Sequence, residues 1–268
     1  MIKLGNTRLL GHRGARNEAP ENTLFGFHHA QRLQSRGLAG VELDVQLTAD
    51  GHLIVFHDDT LQRLCRLQSR VDQLSLAEIQ RHLQFGHQII TLDRLAQALP
   101  ISDQTLPLQE QSALAQFAHI ELEIKTHDRT NYPKLIGALT RYLIDTPLAS
   151  LPIVLTTFDI QLLAQLQHNT LLSKIPRGLL IRTPELLASA PNTALQLGCT
   201  QLGIHYPLLT QAIIANAHRY GLPVSAWTVN DIETIKQLVK WQVDFIITDI
   251  PTQILSPVHS PVSFQNAL

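Results

Sequence analysis

Residues 41–47, Val41-Glu42-Leu43-Asp44-Val45-Gln46-Leu47, alternate apolar and polar side chains without a break. That is the period-2 pattern of a β-strand with two unlike faces. Glu42 and Asp44 share the polar face, and two carboxylates held together need solvent, a shared proton or a cation. Outward from this strand the chain repeats one theme, short runs rich in β-branched residues separated by longer stretches of helical periodicity. Strands are expected at 8–12, 41–47, 120–125, 152–157, 178–181, 201–205, 223–228 and 244–248, eight in all. Helices are expected from residue 23 to about 35 and at about 91–99, 132–144, 159–168, 184–196, 208–220 and 231–240, with Asp159 and Asn230 as caps. Eight strands with intervening helices predict an α/β fold, the (β/α)8 TIM barrel. The 268 residues are close to the usual size of that fold, about 250. A doubly wound sheet is the structural alternative.

One connection breaks the alternation. An Asp50-Gly51 turn leads from the second strand into another extended run at 52–57, and about 30 residues follow before the next expected helix. This reads as a hairpin plus a small inserted helical subdomain at about 59–90, placed as a lid or substrate-side cap. The barrel is expected to occupy 1–258. The stretch after Pro251 reads as irregular, with 259–268 as a tail.

With 44% hydrophobic residues the chain has enough apolar material for a sizeable core, and 21 Lys and Arg nearly cancel 22 Asp and Glu. A formal net charge of −1 draws in neither a nucleic-acid backbone nor an anionic membrane surface. Cys65 and Cys199 are too few for a disulfide framework, and the start of the chain lacks the apolar stretch of a secretory signal. No run of about 18 apolar residues occurs. A cytoplasmic location is therefore expected, with no stable membrane association and no nucleic acid among the partners. The balanced charge permits a monomer or a homodimer.

In a barrel the chemistry gathers at the C-terminal ends of the strands. The first strand ends in His12-Arg13-Gly14, where the glycine permits a sharp exit of the backbone. Alternation puts Glu121, Glu123 and Lys125 on one face of the third strand. If those faces line the barrel, Glu42, Asp44 and Glu123 suit a hard divalent cation, Mg2+ or Ca2+, and Lys125 suits an anion. If they face water, they are ordinary solvated charges. His57-Asp58 brings a second imidazole to the rim, and two imidazoles can divide acid and base work. Trp227 is either a substrate wall or a core residue. Phosphate suits Arg13 as a fork of donors and Lys125 as a point charge. The sequence has no P-loop, dinucleotide-binding or nucleophile-elbow pattern. The residues favour metal-assisted cleavage of a phosphoester.

Seven motifs carry a wider resemblance: His12-Arg13-Gly14-Ala15, Pro20-Glu21-Asn22-Thr23, Glu42-Leu43-Asp44-Val45-Gln46-Leu47-Thr48-x-Asp50-Gly51, Val55-Phe56-His57-Asp58, Leu122-Glu123-Ile124-Lys125, Trp227-Thr228-Val229-Asn230 and Ile247-Thr248-Asp249-x-Pro251. In this order, over nearly the whole chain, they resemble the glycerophosphodiester phosphodiesterase family. The resemblance implies a barrel with an insertion after the His57-Asp58 hairpin. It implies Glu42, Asp44 and Glu123 as ligands of one divalent metal, usually Mg2+ or Ca2+, His12 and His57 as the acid/base pair, and Arg13 and Lys125 as phosphate binders. It places Glu21 and Asn22 behind the catalytic residues, orienting His12 or the metal shell, and Trp227 and Phe158 at the glycerol end. Thr23 reads as a helix cap. The implied reaction converts a glycerophosphodiester, a small-molecule partner such as glycerophosphocholine or glycerophosphoethanolamine, to sn-glycerol 3-phosphate and an alcohol.

Thr157-Phe158 stands where many relatives have Ser-Phe, and residues 61–67 lack the Thr- and Gly-rich run common after His-Asp. Ile90-Thr91-Leu92 lacks the usual proline. The rival readings are a lysophospholipase D-like or sphingomyelinase D-like enzyme, a binding barrel without turnover, and a Schiff-base barrel using Lys125. The two histidines argue against the second and the neighbouring carboxylates against the third.

Overall fold

A computed structural model describes residues 3–82, 88–99, 111–114 and 116–256. The strands are β1 (Arg8–Gly11), β2 (Leu38–Leu47), β3 (Leu53–Val55), β4 (Ala98–Leu99), β5 (Gln111–Ser112), β6 (His119–Ile124), β7 (Ile153–Thr157), β8 (Arg177–Ile181), β9 (Gln201–His205), β10 (Val224–Trp227) and β11 (Phe245–Thr248). β1 pairs in parallel with both β11 and β2, and the order runs on through β10, β9, β8, β7 and β6 back to β2. The sheet therefore closes on itself as an eight-stranded parallel barrel, the (β/α)8 architecture expected from the alternation.

Helices α1 (Leu24–Arg32), α2 (Gln62–Cys65), α3 (Leu76–His82), α4 (Tyr132–Leu143), α5 (Ile160–His168), α6 (Ala190–Gln196), α7 (Gln211–Arg219), α8 (Ile232–Lys240) and α9 (Pro251–Leu255) follow in chain order. The β2 alternation resolves in one way. Val41, Leu43 and Val45 pack outward in the main core with Leu135, Leu139 and Leu162 of the helices, which leaves Glu42, Asp44 and Gln46 facing inward, buried. Covering the outer face with helices excludes water there, so the polar face has nowhere to go but the barrel interior. Thr23 caps α1, its hydroxyl accepting from the Gly26 amide at 3.1 Å. Gly14 turns the chain back against α1 at φ 91, and a Cβ there would come within 2.9 Å of the Gly26 carbonyl carbon. Only glycine fits that approach.

The hairpin β2–β3 is antiparallel, and α2 and α3 lie beyond it. Leu61, Cys65, Val71, Ile79 and Ile89 form a small apolar cluster of their own on Ile54 and Phe56 of the hairpin. Residues 83–87 of the expected insertion, and the expected tail at 259–268, lie outside the described residues.

Four local expectations change. The stretch 91–99 is a 3-10 turn at Leu92–Leu95 followed by β4, which pairs with β5, rather than an α-helix. The stretch 184–196 is broken into a 3-10 turn at Pro184–Leu186 and α6, each with a proline in its first turn, where the missing N–H costs least. Asp231, not Asn230, caps α8; Asn230 is used elsewhere. The stretch after Pro251 is not irregular at its start, since α9 buries Ile254 and Leu255 against the core.

Candidate active site

Both imidazoles at the strand ends are fixed through Nδ1 by a carboxylate. His12 follows β1, and its Nδ1 lies 2.6 Å from Oδ1 of Asp249, which follows β11. Asp249 Oδ2 accepts from Asn230 Nδ2 at 2.7 Å, and Asn230 Oδ1 accepts from the Asp249 amide at 2.9 Å. His57, just past β3, meets Asp58 Oδ1 at 2.8 Å through its own Nδ1. An ionised carboxylate only accepts, so each Nδ1 carries the proton and each Nε2 keeps a lone pair. Burial pushes both imidazole pKa values down, opposed at His12 by the bond to Asp249 and at His57 by the charge of Asp44. Each ring is thus mostly neutral at pH 7.

Glu42, Asp44 and Glu123 bring carboxylate oxygens within 4.8 Å of one another. The register explains it. Asp44 lies abreast of Glu123 on the adjacent strand, and Glu42 sits two residues back on the same inward face. Burial, reinforced by Asp44 and Glu123, drives the Glu42 carboxyl well above the usual range. Burial also raises Glu123. Burial pushes Asp44 upward too, but Lys125 and Arg13 overcome it and hold Asp44 low. Glu42 Oε1 is buried without a hydrogen-bond partner. An orphaned buried acceptor among three crowded carboxylates is what a divalent cation satisfies, and an all-oxygen set suits a hard one. The residues fit a divalent metal.

The cations are woven into this cluster. Lys125 Nζ lies 2.8 Å from Asp44 Oδ1 and also contacts Glu123. Arg13 places Nε 3.1 Å from Asp44 Oδ2, donates from Nη1 to Glu21 at 2.8 Å, and donates its backbone N–H to Glu42 Oε2 at 3.1 Å. Asn22 Nδ2 donates to Asp44 at 2.9 Å. Arg13 and Asn22 sit at φ 51 and 55, a conformation non-glycine residues seldom adopt and that clusters at working sites.

His12, Arg13, His57, Lys125, Phe158 and Trp227 line one cavity of about 430 Å3 at the C-terminal rim. Phe158 meets Trp227 edge to face with centroids 5.6 Å apart. Glu123 reaches both this cavity and a smaller one beneath it, where Glu42 also lies. Among the described residues, Glu21 makes no hydrogen bond to His12 or to the acidic trio. It binds Arg13, Arg16 and Arg63 instead, and Arg63, from α2, also grips Asp58 at 2.6 Å. Burial pushes the Glu21 carboxyl up, but the bonds from Arg63 and the charge of Arg13 bring it down to about 2. A further acidic group, Asp59, Asp72 and His127, is already closed by Arg129, 2.7 Å from Asp59 and 3.1 Å from Asp72.

The sequence patterns single out none of Asp58, Asn230 and Asp249 as a site residue, although each stands in one of the seven motifs. The available signal was the place of Asp58 beside His57 and of Asp249 directly after a strand; Asn230 carried none beyond its motif. Arg63 and Arg182 stand in no quoted motif; nothing local marks Arg63, while Arg182 is marked only by its place directly after the strand expected at 178–181.

A sequence model of the glycerophosphoryl diester phosphodiesterase family matches residues 12–253. The chain belongs to that family. As a member of the glycerophosphoryl diester phosphodiesterase family it is a phosphoric diester hydrolase. A glycerophosphodiester phosphodiesterase of Caldanaerobacter subterraneus is 28% identical over 261 residues, covering 94% of this chain and 98% of that protein. A phosphodiesterase of Oleispira antarctica, solved with the product sn-glycerol-3-phosphate, shares the barrel at a TM-score of 0.75 and 24% identity, over 92% of this chain and 94% of its own. A putative family member from Silicibacter pomeroyi superposes at a TM-score of 0.70 with 26% identity, over 93% and 92% of the two chains. Among the described residues, no helix is long and apolar enough to cross a membrane.

Proposed function

We propose that the enzyme hydrolyses glycerophosphodiesters, such as glycerophosphocholine and glycerophosphoethanolamine, to sn-glycerol 3-phosphate and the free alcohol. The observation that carries this reading is a single cavity lined by two carboxylate-oriented imidazoles, by Arg13 and Lys125, and by Glu123, the member of the buried acidic trio that reaches it. Glu42, Asp44 and Glu123 would hold Mg2+ or Ca2+, which when bound supplies positive charge to the phosphate oxygens.

Arg13 and Lys125 flank the phosphate position. Asp44 fixes both side chains before substrate arrives, so their donors need little reordering in the transition state. One imidazole removes the proton from the attacking oxygen through Nε2, and the other protonates the leaving alkoxide. Burial lowers both pKa values, which suits a base, and an anionic phosphate alongside raises the ring that must act as acid. Phe158 and Trp227 wall the glycerol end and keep water from it. We place the enzyme in the cytoplasm as a monomer or homodimer, supported by two free, buried cysteines and the balanced charge.

The test is chelator-stripped protein given glycerophosphocholine or glycerophosphoethanolamine, with and without Mg2+ or Ca2+, and a coupled readout of glycerol 3-phosphate. Metal-dependent release is expected. Turnover of a lysophospholipid with none of either diester would overturn the proposal in favour of the lipid-directed rival.

A further inference from the structure

Four permanent cations line the cavity, Arg13, Arg16, Lys125 and Arg182, against one carboxylate, Glu123. Three of the four are already matched. Arg13 pairs with Glu21 and Asp44, Arg16 with Glu21, and Lys125 with Asp44 and Glu123. Arg182 is not. It directly follows β8, so the fold sets it on the same rim as the catalytic groups. Among the described residues its guanidinium has no carboxylate within 4.0 Å; its partner is the Phe158 ring, 4.9 Å from the centroid. Stacking on a ring holds a guanidinium by its face and leaves the fork of N–H donors at its edge free for a planar anion.

The same arrangement works against a cationic group. A quaternary ammonium is held by open aromatic faces. Here one face of Phe158 lies under Arg182, and Trp227 carries His205 at 5.0 Å, tilted by 30°. A trimethylammonium on the alcohol part would meet the like charge of Arg182 at the rim of the cavity.

We propose that Arg182 is a specificity-determining residue that selects glycerophosphodiesters carrying a second anionic group, a carboxylate or a phosphate monoester, on the alcohol part of the substrate, which it would meet at the exposed rim of the cavity beyond the aromatic wall that holds the glycerol end. This rests on the phosphodiesterase reading above and names its substrate class. Arg182 is exposed, so the pairing is worth less than a buried one and screens with salt.

The test uses matched substrates. Glycerophosphoserine differs from glycerophosphoethanolamine by one carboxylate, and glycerophosphoinositol 4-phosphate from glycerophosphoinositol by one phosphate. The kcat/KM ratio within each pair is measured for the metal-loaded parent, Arg182→Gln and Arg182→Lys. Because each ratio is internal to one protein, a general loss of activity cancels. The parent is expected to favour at least one anionic member by about two- to fivefold, through KM, and the preference should narrow when salt is raised from 50 to about 500 mM. Arg182→Gln should bring that ratio near one, and Arg182→Lys should keep part of it. Ratios near one for both pairs in the parent, or a preference that survives both Arg182→Gln and high salt, would overturn the inference while leaving the phosphodiesterase reading intact. No turnover of any of the four diesters would overturn both.

Discussion

Asp249→Asn keeps the shape of the group that holds His12 and removes its charge. In the parent, the imidazole Nδ1 meets Asp249 Oδ1 at 2.6 Å, and the carboxylate is itself fixed by Asn230 at 2.7 Å. A hydrogen bond to a charged partner contributes about 1.5–3 kcal/mol. Removing it should lower kcat on the order of 10- to 150-fold, at a factor of ten for each 1.4 kcal/mol. An asparagine can also turn its NH2 toward Nδ1, which puts the proton on Nε2 and takes away the lone pair facing the cavity. In a serine-protease triad the equivalent change costs about 10^4, the upper limit here. Steady-state kinetics on glycerophosphoethanolamine at saturating metal give the answer, with KM expected within about threefold of the parent because His12 does not anchor the phosphate. Asn230→Ala serves as a graded control. It loosens the carboxylate but leaves its charge, so a loss at the low end of the range for outer partners, about tenfold, is expected. A kcat for Asp249→Asn within threefold of the parent would refute the role given to His12. Loss of metal affinity with normal kcat at saturation would move the effect to Glu42, whose Oε2 lies 3.7 Å from His12 Nε2.

Glu42→Ala removes a proposed ligand and should lower activity at saturating metal by at least about 100-fold, beyond the 10- to 100-fold typical of outer partners; activity within tenfold of the parent sinks the ligand assignment. Arg63→Met frees Glu21 and Asp58. The Glu21 carboxyl is depressed from 4.5 to about 2, a linkage of about 3 kcal/mol shared with Arg13, so a urea midpoint at pH 7 should show a loss of about 1–2 kcal/mol. Since the folded pKa is the lower one, that stabilisation is present above about pH 4.5 and disappears toward about pH 2; the gap between parent and Arg63→Met should shrink at pH 3, and a constant gap contradicts the assignment. Thr23→Ala deletes the α1 cap and should cost about 1 kcal/mol in the same melt with metal binding unchanged.

The sequence by itself determined the barrel and the chemistry-bearing strand ends. All eight barrel strands overlap the stretches where β-branched runs alternate with helical periodicity, because a parallel strand buried on both faces reads as a short apolar run and its covering helix as a period near 3.6. Glu42, Asp44 and Glu123 were legible because alternation alone fixes which side chains share a face. The sequence did not say which face was inside. That was decided by closure of the sheet, which puts Asp44 abreast of Glu123 and turns both away from water. It also did not show the groups that hold the histidines and the cations. Asp249 meets His12 across 237 positions and Arg63 meets Glu21 across 42. Contacts of that range leave no periodic trace along the chain. The 91–99 stretch fails for a related reason: its last two residues, Ala98 and Leu99, pair with β5, and tertiary pairing outweighs a weak helical preference. Arg182 shows the limit most plainly. One arginine after a strand means little until the fold supplies carboxylates for the other three cations in the cavity and none for this one.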